Sequence, residues 1–200
     1  MPIRHNPPDG APGSSAAPLH TPVKFRRNLF PTSAGRTLHR MSRYKRLYVI
    51  AVAVFLLDQV TKTWIYFAVA FATDRIEVIP GFFYIVHWGN TGAAWGILQG
   101  MSYWLALLAV IALAAIFKLR HHLSLRTPAA QTCFGFLCGG IVGNLVDRIV
   151  HGYVIDFLDL RFGQFAWPAF NVADSAICIG VGLYIFYSFV QPDKLDPPHP

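Results

Sequence analysis

The sequence predicts an all-α membrane bundle of four transmembrane helices, with a small extracytoplasmic β element and both termini in the cytoplasm. Composition supports the membrane class, because 54% of the 200 residues are hydrophobic and 14% are charged, whereas about 25% are charged in a soluble domain. Charge placement supports the topology. The Lys and Arg residues behind the net charge of +7 cluster before the first apolar run and between the second and third. The positive-inside rule expects this of cytoplasmic segments, so a nucleic-acid-binding arm is disfavoured.

The chain length suits one compact bundle with two flanking segments. Residues 1–43 are rich in Pro, Gly, Ser and Ala and show no apolar periodicity, so we expect a disordered, basic N-terminal extension. Residues 44–190 are the predicted transmembrane domain. Residues 191–200 are Pro-rich, and we expect a disordered C-terminal tail.

Four apolar runs are the predicted membrane spans, and a crossing takes about 20 residues. They are residues 47–72, 102–117, 129–150 and 172–190. The third run has a face of small residues that predicts close helix packing. Its members are Gly135, Gly139, Gly140 and Gly143.

The segment 73–98 does not have the pattern of a span. Residues 75–79 alternate, Pro80 and Gly81 predict a turn, and residues 82–86 resume a β-like run, so we expect a hairpin outside the membrane. The small residues that follow, from Asn90 onward, allow close backbone approach. Asn90 has a simpler alternative role as a turn residue.

Polar side chains collect at the predicted outer ends of the third and fourth runs, where charged groups are costly and therefore functional candidates. The set is Asn144, Asp147, Arg148, Asp156, Asn171 and Asp174. The first three are spaced i, i+3, i+4, so they project from one helical face. We predict that Asp156 and Asp174 meet at the membrane surface and act as a pair.

Two ion pairs have structural alternatives. Asp58 and Lys62 lie one helical turn apart inside the first run, where they either form an ion pair that fixes helix packing or support a site. Asp147 and Arg148 are either a structural ion pair at the interface or part of the site.

Three further interpretations concern single residues. Asn171 is suited to cap the fourth helix, because Asp174 follows it by three residues, and capping does not exclude a functional role. Asp159 is interpreted as a solvated loop carboxylate. Arg161 is interpreted as a contact to lipid headgroups.

Two carboxylates held within a few ångströms cannot both be ionised, so they share a proton. The ionised member can take a proton from water, and the protonated member can donate to the carbonyl oxygen or the leaving nitrogen of an amide. Such hydrolysis needs no cofactor, and the sequence shows neither an HExxH motif nor a CxxC pair that would indicate a metal site.

Two other classes of protein share some of these sequence features. A proton-coupled transporter would also carry intramembrane Asp and Lys, but four spans without an inverted repeat disfavour it. A non-catalytic scaffold would account for the apolar faces, but it leaves the polar motifs at one interface unexplained.

Five motifs together resemble lipoprotein signal peptidase, also called signal peptidase II. They lie in the family's order between about residues 45 and 190, and they are residues 58–62 (DQVTK), 90–94 (NTGAA), 143–148 (GNLVDR), 154–157 (VIDF) and 170–175 (FNVADS). Trp95 stands where the family more often has Phe, and the N-terminal extension is longer than usual.

The resemblance implies an intramembrane aspartic endopeptidase of the bacterial inner membrane, with its active site at the periplasmic face. It would cleave prolipoprotein signal peptides before the diacylglyceryl-modified cysteine, without a cofactor or metal. The catalytic residues would be Asp156 and Asp174. The residues expected to bind substrate, or the inhibitor globomycin, or to support the site are Asn90, Gly92, Asn144, Arg148, Asn171, Asp58, Lys62 and Asp147. Membrane lipids are the other expected partners, and we expect a monomer.

Overall fold

A computed structural model describes residues 43–195, which form helices around a small antiparallel sheet. The helices are α1 (Lys45–Ala68), α2 (Ser102–Lys118), α3 (Pro128–Val150) and α4 (Val172–Val190). The strands are β1 (Arg75–Ile79), β2 (Phe83–Asn90), β3 (Val154–Phe162) and β4 (Phe165–Ala166), and short 3-10 helices occupy Ala94–Gly96 and Pro192–Lys194. The predicted extension lies outside the described residues except for Arg43, as does the predicted tail beyond Leu195.

Three helices, α1, α3 and α4, are long and apolar enough to cross a membrane. Helix α2 is equally apolar but has 17 residues, or about 26 Å, which is slightly less than the roughly 30 Å hydrocarbon core. The predicted bundle of apolar helices with a small sheet is therefore confirmed, whereas the crossing by α2 stays a prediction. The first helix ends at Ala68, earlier than the predicted end of its run, because residues beyond it turn into β1.

Helix α3 lies between α1 and α4, and glycines bring the three helices close together. A Cβ added at Gly139 would lie 2.7 Å from the carbonyl oxygen of Ala51 on α1, and one at Gly140 would lie 2.8 Å from Cγ1 of Ile177 on α4. Only glycine, which has no Cβ, fits at these two positions. The predicted small-residue face is confirmed, and it serves both neighbouring helices.

The buried apolar side chains form two clusters at opposite ends of the bundle. The cluster that joins the first helix to the sheet consists of Ile65, Val69, Ile155 and Phe157. The cluster at the other end consists of Tyr44, Leu125, Ala130, Cys133 and Phe134. The cluster around Ile65 packs the sheet against the end of α1, so strands and helices meet at one place.

The sheet has the order β1-β2-β3-β4 with antiparallel neighbours. The β1–β2 hairpin confirms the prediction for residues 75–86. The sequence predicted strands only within residues 73–98, whereas β3 adds a strand from a later part of the chain. It places Asp156 opposite Trp88 and Val154 opposite Asn90. Both faces of β3 are largely covered, so its residues lack the clean polar alternation that would have predicted a strand.

The interpretation of Asp159 as a solvated loop carboxylate is wrong. Asp159 is 1% exposed and lies on β3 opposite Tyr84. Its Oδ2 accepts hydrogen bonds from Arg75 Nη2 at 3.3 Å and Arg161 Nε at 3.2 Å. The sheet brings these three charges together from different parts of the chain. Arg161 therefore has a protein partner, and a contact to lipid headgroups stays untested.

Candidate active site

A cavity of about 620 Å³ lies where the sheet meets the C-terminal end of α3 and the N-terminal end of α4. Six of the predicted residues line it, namely Asn90, Gly92, Asn144, Arg148, Asp156 and Asp174. The other four, Asp58, Lys62, Asp147 and Asn171, are buried around it. The structure therefore gathers all ten residues into one place, although they come from five separate stretches of sequence.

Asp156 is held on β3 by two amide groups. Its Oδ2 accepts a hydrogen bond from Asn90 Nδ2 at 2.9 Å, and its Oδ1 accepts one from Asn171 Nδ2 at 2.7 Å. The side chain is 3% exposed. Both oxygens thus have donors, and the carboxyl group is locked in one orientation beside the cavity.

Asp174 lies in the first turn of α4 and takes part in a capping box with Asn171. The Asp174 N–H donates to Asn171 Oδ1 at 2.9 Å, and the Asn171 N–H donates to Asp174 Oδ2 at 3.2 Å. The predicted cap at Asn171 is confirmed. The remaining oxygen, Asp174 Oδ1, accepts from Asn144 Nδ2 at 2.7 Å.

Asn171 connects the two carboxylates. Its Oδ1 accepts from the backbone of Asp174, so its Nδ2 is left to donate to Asp156. Burial, and then the charge of Asp174, raise the pKa of Asp156 to about 7, although the hydrogen bonds from Asn90 and Asn171 act in the opposite direction. A carboxyl group with such a pKa can hold or release a proton near neutral pH, which suits acid–base chemistry.

Lys62 is the centre of a buried ionic cluster beneath the cavity. Its Nζ lies 2.9 Å from Asp58 Oδ2 and 2.9 Å from Asp147 Oδ2, and it donates to Asn144 Oδ1 at 2.9 Å. The predicted Asp58–Lys62 ion pair is confirmed, and it extends to Asn144, which contacts Asp174. The ion-pair partner of Asp147 is Lys62 and not its neighbour Arg148.

The two carboxylates of this cluster also bind backbone groups next to the central pair. Asp58 Oδ1 accepts from the Ala173 N–H at 2.9 Å, which would otherwise be an orphan donor at a helix start. Asp147 Oδ2 accepts from the Ile155 N–H at 3.1 Å. Each bond fixes the residue that directly precedes Asp174 or Asp156 in sequence.

Gln59 belongs to the same cluster, and the sequence analysis did not single it out. Its Nε2 lies within 3.3 Å of Asp58 Oδ2, Asp147 Oδ1 and the Gly143 carbonyl oxygen. The available signal was its place directly after Asp58 in an apolar run, where a polar amide needs partners.

Arg148 forms the cationic edge of the cavity. Its Nη2 donates to the Gly92 carbonyl at 2.9 Å, while the Gly92 N–H donates to Asn90 Oδ1 at 2.9 Å. A Cβ at Gly92 would lie 2.7 Å from the Ile97 carbonyl oxygen, so only glycine fits there. The Arg148 Nε is buried and has no partner among residues 43–195.

Asn90 has both of the roles considered for it. Its Oδ1 accepts from the Gly92 N–H in a turn, and the residue also lines the cavity.

Comparison with known proteins assigns this arrangement to a family. A family model described as signal peptidase (SPase) II matches residues 50–190. The chain belongs to the signal peptidase II family. The lipoprotein signal peptidase of Listeria monocytogenes serotype 4a (strain HCC23) is 40% identical over 147 residues, which are 74% of this chain and 95% of that protein. That of Nitratidesulfovibrio vulgaris (strain DP4) is 43% identical over 155 residues, which are 75% and 93%.

Solved structures support the same assignment. Two structures described as a bacterial membrane enzyme match this chain with TM-scores of 0.66 and 0.64 at 34% and 36% identity. They cover 77% and 72% of this chain, and this chain covers 93% of each of them. The membrane class and the peptidase family are therefore established together.

An aromatic rim of the cavity was not predicted as part of the site. Trp95 and Trp167 line the cavity, their ring centroids lie 5.3 Å apart, and Phe165 packs against both. Trp95 has a φ of +60°, which is rare for a residue with a large side chain. The aromatic residues were visible in the sequence, but their convergence depends on β4 and on the loop after β2.

Proposed function

We propose that this signal peptidase II is an intramembrane aspartic endopeptidase that removes signal peptides from prolipoproteins by cutting before the diacylglyceryl-modified cysteine. The observation that carries the proposal is that Asp156 and Asp174 line one cavity and share Asn171 as a hydrogen-bond partner. The relatives' description as lipoprotein signal peptidases supports the substrate class.

The proposed reaction is hydrolysis by a pair of carboxyl groups that share one proton. The ionised carboxylate takes a proton from a water molecule, whose oxygen attacks the scissile carbonyl carbon. The protonated carboxyl donates to the carbonyl oxygen, and the tetrahedral intermediate collapses as a proton passes to the leaving nitrogen. The pair returns to its starting state with one proton, and the titration belongs to the pair and not to either residue.

The neighbouring residues would hold this chemistry in place. Asn90, Asn144 and Asn171 keep the carboxyl groups oriented, as their hydrogen bonds to Asp156 and Asp174 indicate. Arg148 has a buried Nε that is free of protein partners within residues 43–195, and this N–H is suited to donate a hydrogen bond to a substrate carbonyl. Asp58, Lys62 and Asp147 support the site from beneath.

For the membrane we propose four crossings, including the 17-residue α2, with both termini in the cytoplasm of a bacterium and the cavity at the periplasmic face of the inner membrane. Basic residues support this orientation, since they flank the helix ends that lie away from the cavity. They include Arg43, Lys45, Arg46, Lys118, Arg120 and Arg126. The scissile bond of a lipidated precursor would then lie at the membrane surface, with acyl chains on one side and water on the other.

The test is cleavage of a diacylglyceryl-cysteine peptide by the purified full chain. Asp156→Asn and Asp174→Asn should each lower kcat by at least about a hundredfold, since positioned acid–base groups contribute about 10²–10⁴. Asp193→Asn is the matched control, because Asp193 is exposed at the far end of α4. Far-UV circular dichroism and a thermal melt establish that each variant is folded.

Two outcomes would overturn the proposal. Normal turnover by either Asn variant would exclude the carboxyl pair. Equal cleavage of the same peptide without its diacylglyceryl group would exclude the substrate assignment. We expect globomycin to inhibit the wild-type enzyme, and a single copy of the chain to suffice for activity.

A further inference from the structure

A second cavity opens at the end of the bundle that lies away from the active site. It is an apolar groove of about 350 Å³, and we call it the basal groove. Its walls come from α1, α2, the loop after α2, and α3, and they are formed mainly by Leu47, Val52, Phe55, Leu113, Ile116 and Val142. The groove exists because α1 and α2 each pack against α3 while making little contact with one another.

The length of the basal groove matches one leaflet of a bilayer. Along the first helix its lining residues run from Tyr44 to Phe55, a rise of about 16 Å. Half of the hydrocarbon core is about 15 Å. Tyr44 and Tyr48 line the groove at the N-terminal end of α1, and tyrosines are common at a membrane–water interface. A single extended acyl chain of one leaflet matches this length.

The end of the groove near the C-terminal end of α2 carries positive charge. Arg120 lines the groove, and its Nη1 donates to the Phe117 carbonyl at 2.8 Å while the guanidinium lies over the Phe117 ring. Exposed basic residues lie close in sequence to the residues that line this end, namely Lys45, Arg46, Lys118 and Arg126. The sequence contains no Asp or Glu from residue 78 to residue 146, so α2, the following loop and most of α3 supply no carboxylate to neutralise them.

We propose that the basal groove binds one acyl chain of an anionic phospholipid, with the lipid phosphate at Arg120. The apolar walls would bury the chain, and the basic end would select the headgroup, since each Lys or Arg near an anionic lipid surface contributes about 1 kcal/mol. A zwitterionic lipid would fill the same walls without this selection. The site lies away from the carboxyl pair and does not depend on the proposed peptidase reaction.

The test is native mass spectrometry of the full chain in a neutral detergent, titrated with palmitoyl-oleoyl phosphatidylglycerol or with the phosphatidylcholine of the same chains. We expect one phosphatidylglycerol to be retained per chain, with an affinity at least fivefold above that of phosphatidylcholine. Equal affinities would overturn the proposal. A second copy of the chain in place of lipid would overturn it as well.

Paired variants locate the site. Arg120→Gln should weaken phosphatidylglycerol binding about fivefold, whereas Lys194→Gln makes the same charge change at a residue that does not line the groove and should leave binding within twofold. Val52→Trp should fill the groove and abolish retention. Val49→Trp, on an exposed α1 position that does not line the groove, should not.

Binding that survives both Arg120→Gln and Val52→Trp would exclude this site. Because Arg120 is a partly exposed surface residue, its variant tests the headgroup contact even if a Trp variant folds poorly. Peptidase activity and lipid retention are measured separately, so a failed cleavage assay leaves the lipid result interpretable, and the reverse also holds.

Discussion

Lys62 Nζ donates a 2.9 Å hydrogen bond to Asn144 Oδ1, and this bond decides which end of the Asn144 amide faces Asp174. An ammonium group has donors and no acceptor, so the amide oxygen must face Lys62 and the amide nitrogen must face the carboxylate. A lysine buried in α1 thereby sets the hydrogen bonding of an aspartate on α4 that it does not itself bind.

Replacing Lys62 should therefore cost much stability. Lys62→Met leaves Asp58 and Asp147 buried without their cation, and breaking a buried pair in this way costs about 3–5 kcal/mol. Lys118→Met removes an exposed lysine and should change the free energy of unfolding by less than about 0.5 kcal/mol. Reversible unfolding in mixed micelles measures both. Equal stabilities of the two variants would show that the cluster is not structurally required.

The pH dependence of cleavage should report the carboxyl pair. Because the pKa of Asp156 is raised to about 7, this group holds its proton below that pH and releases it above. If the pair needs one proton, kcat/KM should fall on the alkaline side with an apparent pKa near 7 that belongs to the pair.

Replacing Asn90 should shift the alkaline limb of the pH profile of kcat/KM. The Asn90 amide donates to Asp156 Oδ2 and so favours the ionised form. Asn90→Ala should therefore shift the limb to higher pH by about half a unit or more, since a hydrogen bond contributes about 0.5–1.5 kcal/mol and one pKa unit equals about 1.4. Thr91→Ala is the control, because Thr91 Oγ1 bonds to the Gly100 N–H instead. A shift to lower pH would contradict the assigned donor.

Close packing of α3 on α4 should be necessary for activity. A Cβ at Gly140 would collide with the Ala173 carbonyl and with Ile177, next to the turn that holds Asp174. Gly140→Ala should lower the free energy of unfolding by about 1–3 kcal/mol through overpacking and lower kcat as well.

Gly182→Ala provides the matched control for this prediction. Gly182 also lies on α4, but nothing lies within 4 Å of an added Cβ, so alanine there should raise helix stability by about 0.5–1 kcal/mol. Cleavage rates and thermal melts of both variants test the pair. Wild-type rates for Gly140→Ala would show that the site tolerates a displacement of α4.

Asp159 should act as an anchor of the sheet. Asp159→Asn weakens the bonds from Arg75 and Arg161, and we expect a loss of about 1.5–3 kcal/mol in unfolding free energy, the range for hydrogen bonds to charged groups. Asp74→Asn changes an exposed carboxylate and should be nearly neutral. If the two variants unfold alike in guanidinium, the buried position of Asp159 contributes nothing measurable.

Several features could be predicted because they depend on local sequence. Apolar runs predicted the helices, the turn at Pro80 predicted the β1–β2 hairpin, and the spacing of Asn171 and Asp174 predicted the cap. The Gly-rich face of α3 predicted close packing, although not that it serves two helices. The catalytic roles assigned to Asp156 and Asp174 stay proposals, but their common location follows from the structure.

Other features depend on contacts between distant parts of the chain. Strand β3 is covered on both faces, so its residues do not alternate as an exposed strand would. Asp159 has the sequence context of a loop carboxylate, and its distant partner Arg75 reaches it only because β1 and β3 belong to one sheet. Gln59 gains its partners from α3. None of these pairings leaves a local periodic signal.

By itself the sequence determined the membrane class, the four apolar helices and the identity of the polar residues at one end of the bundle, because hydropathy and short-range spacing are properties of adjacent residues. Only the tertiary structure decided how those residues pair. Burial removes water as a competing partner, so each charge must find a protein partner, and Lys62, Asn144 and Asn171 were selected by geometry that no single stretch of chain contains.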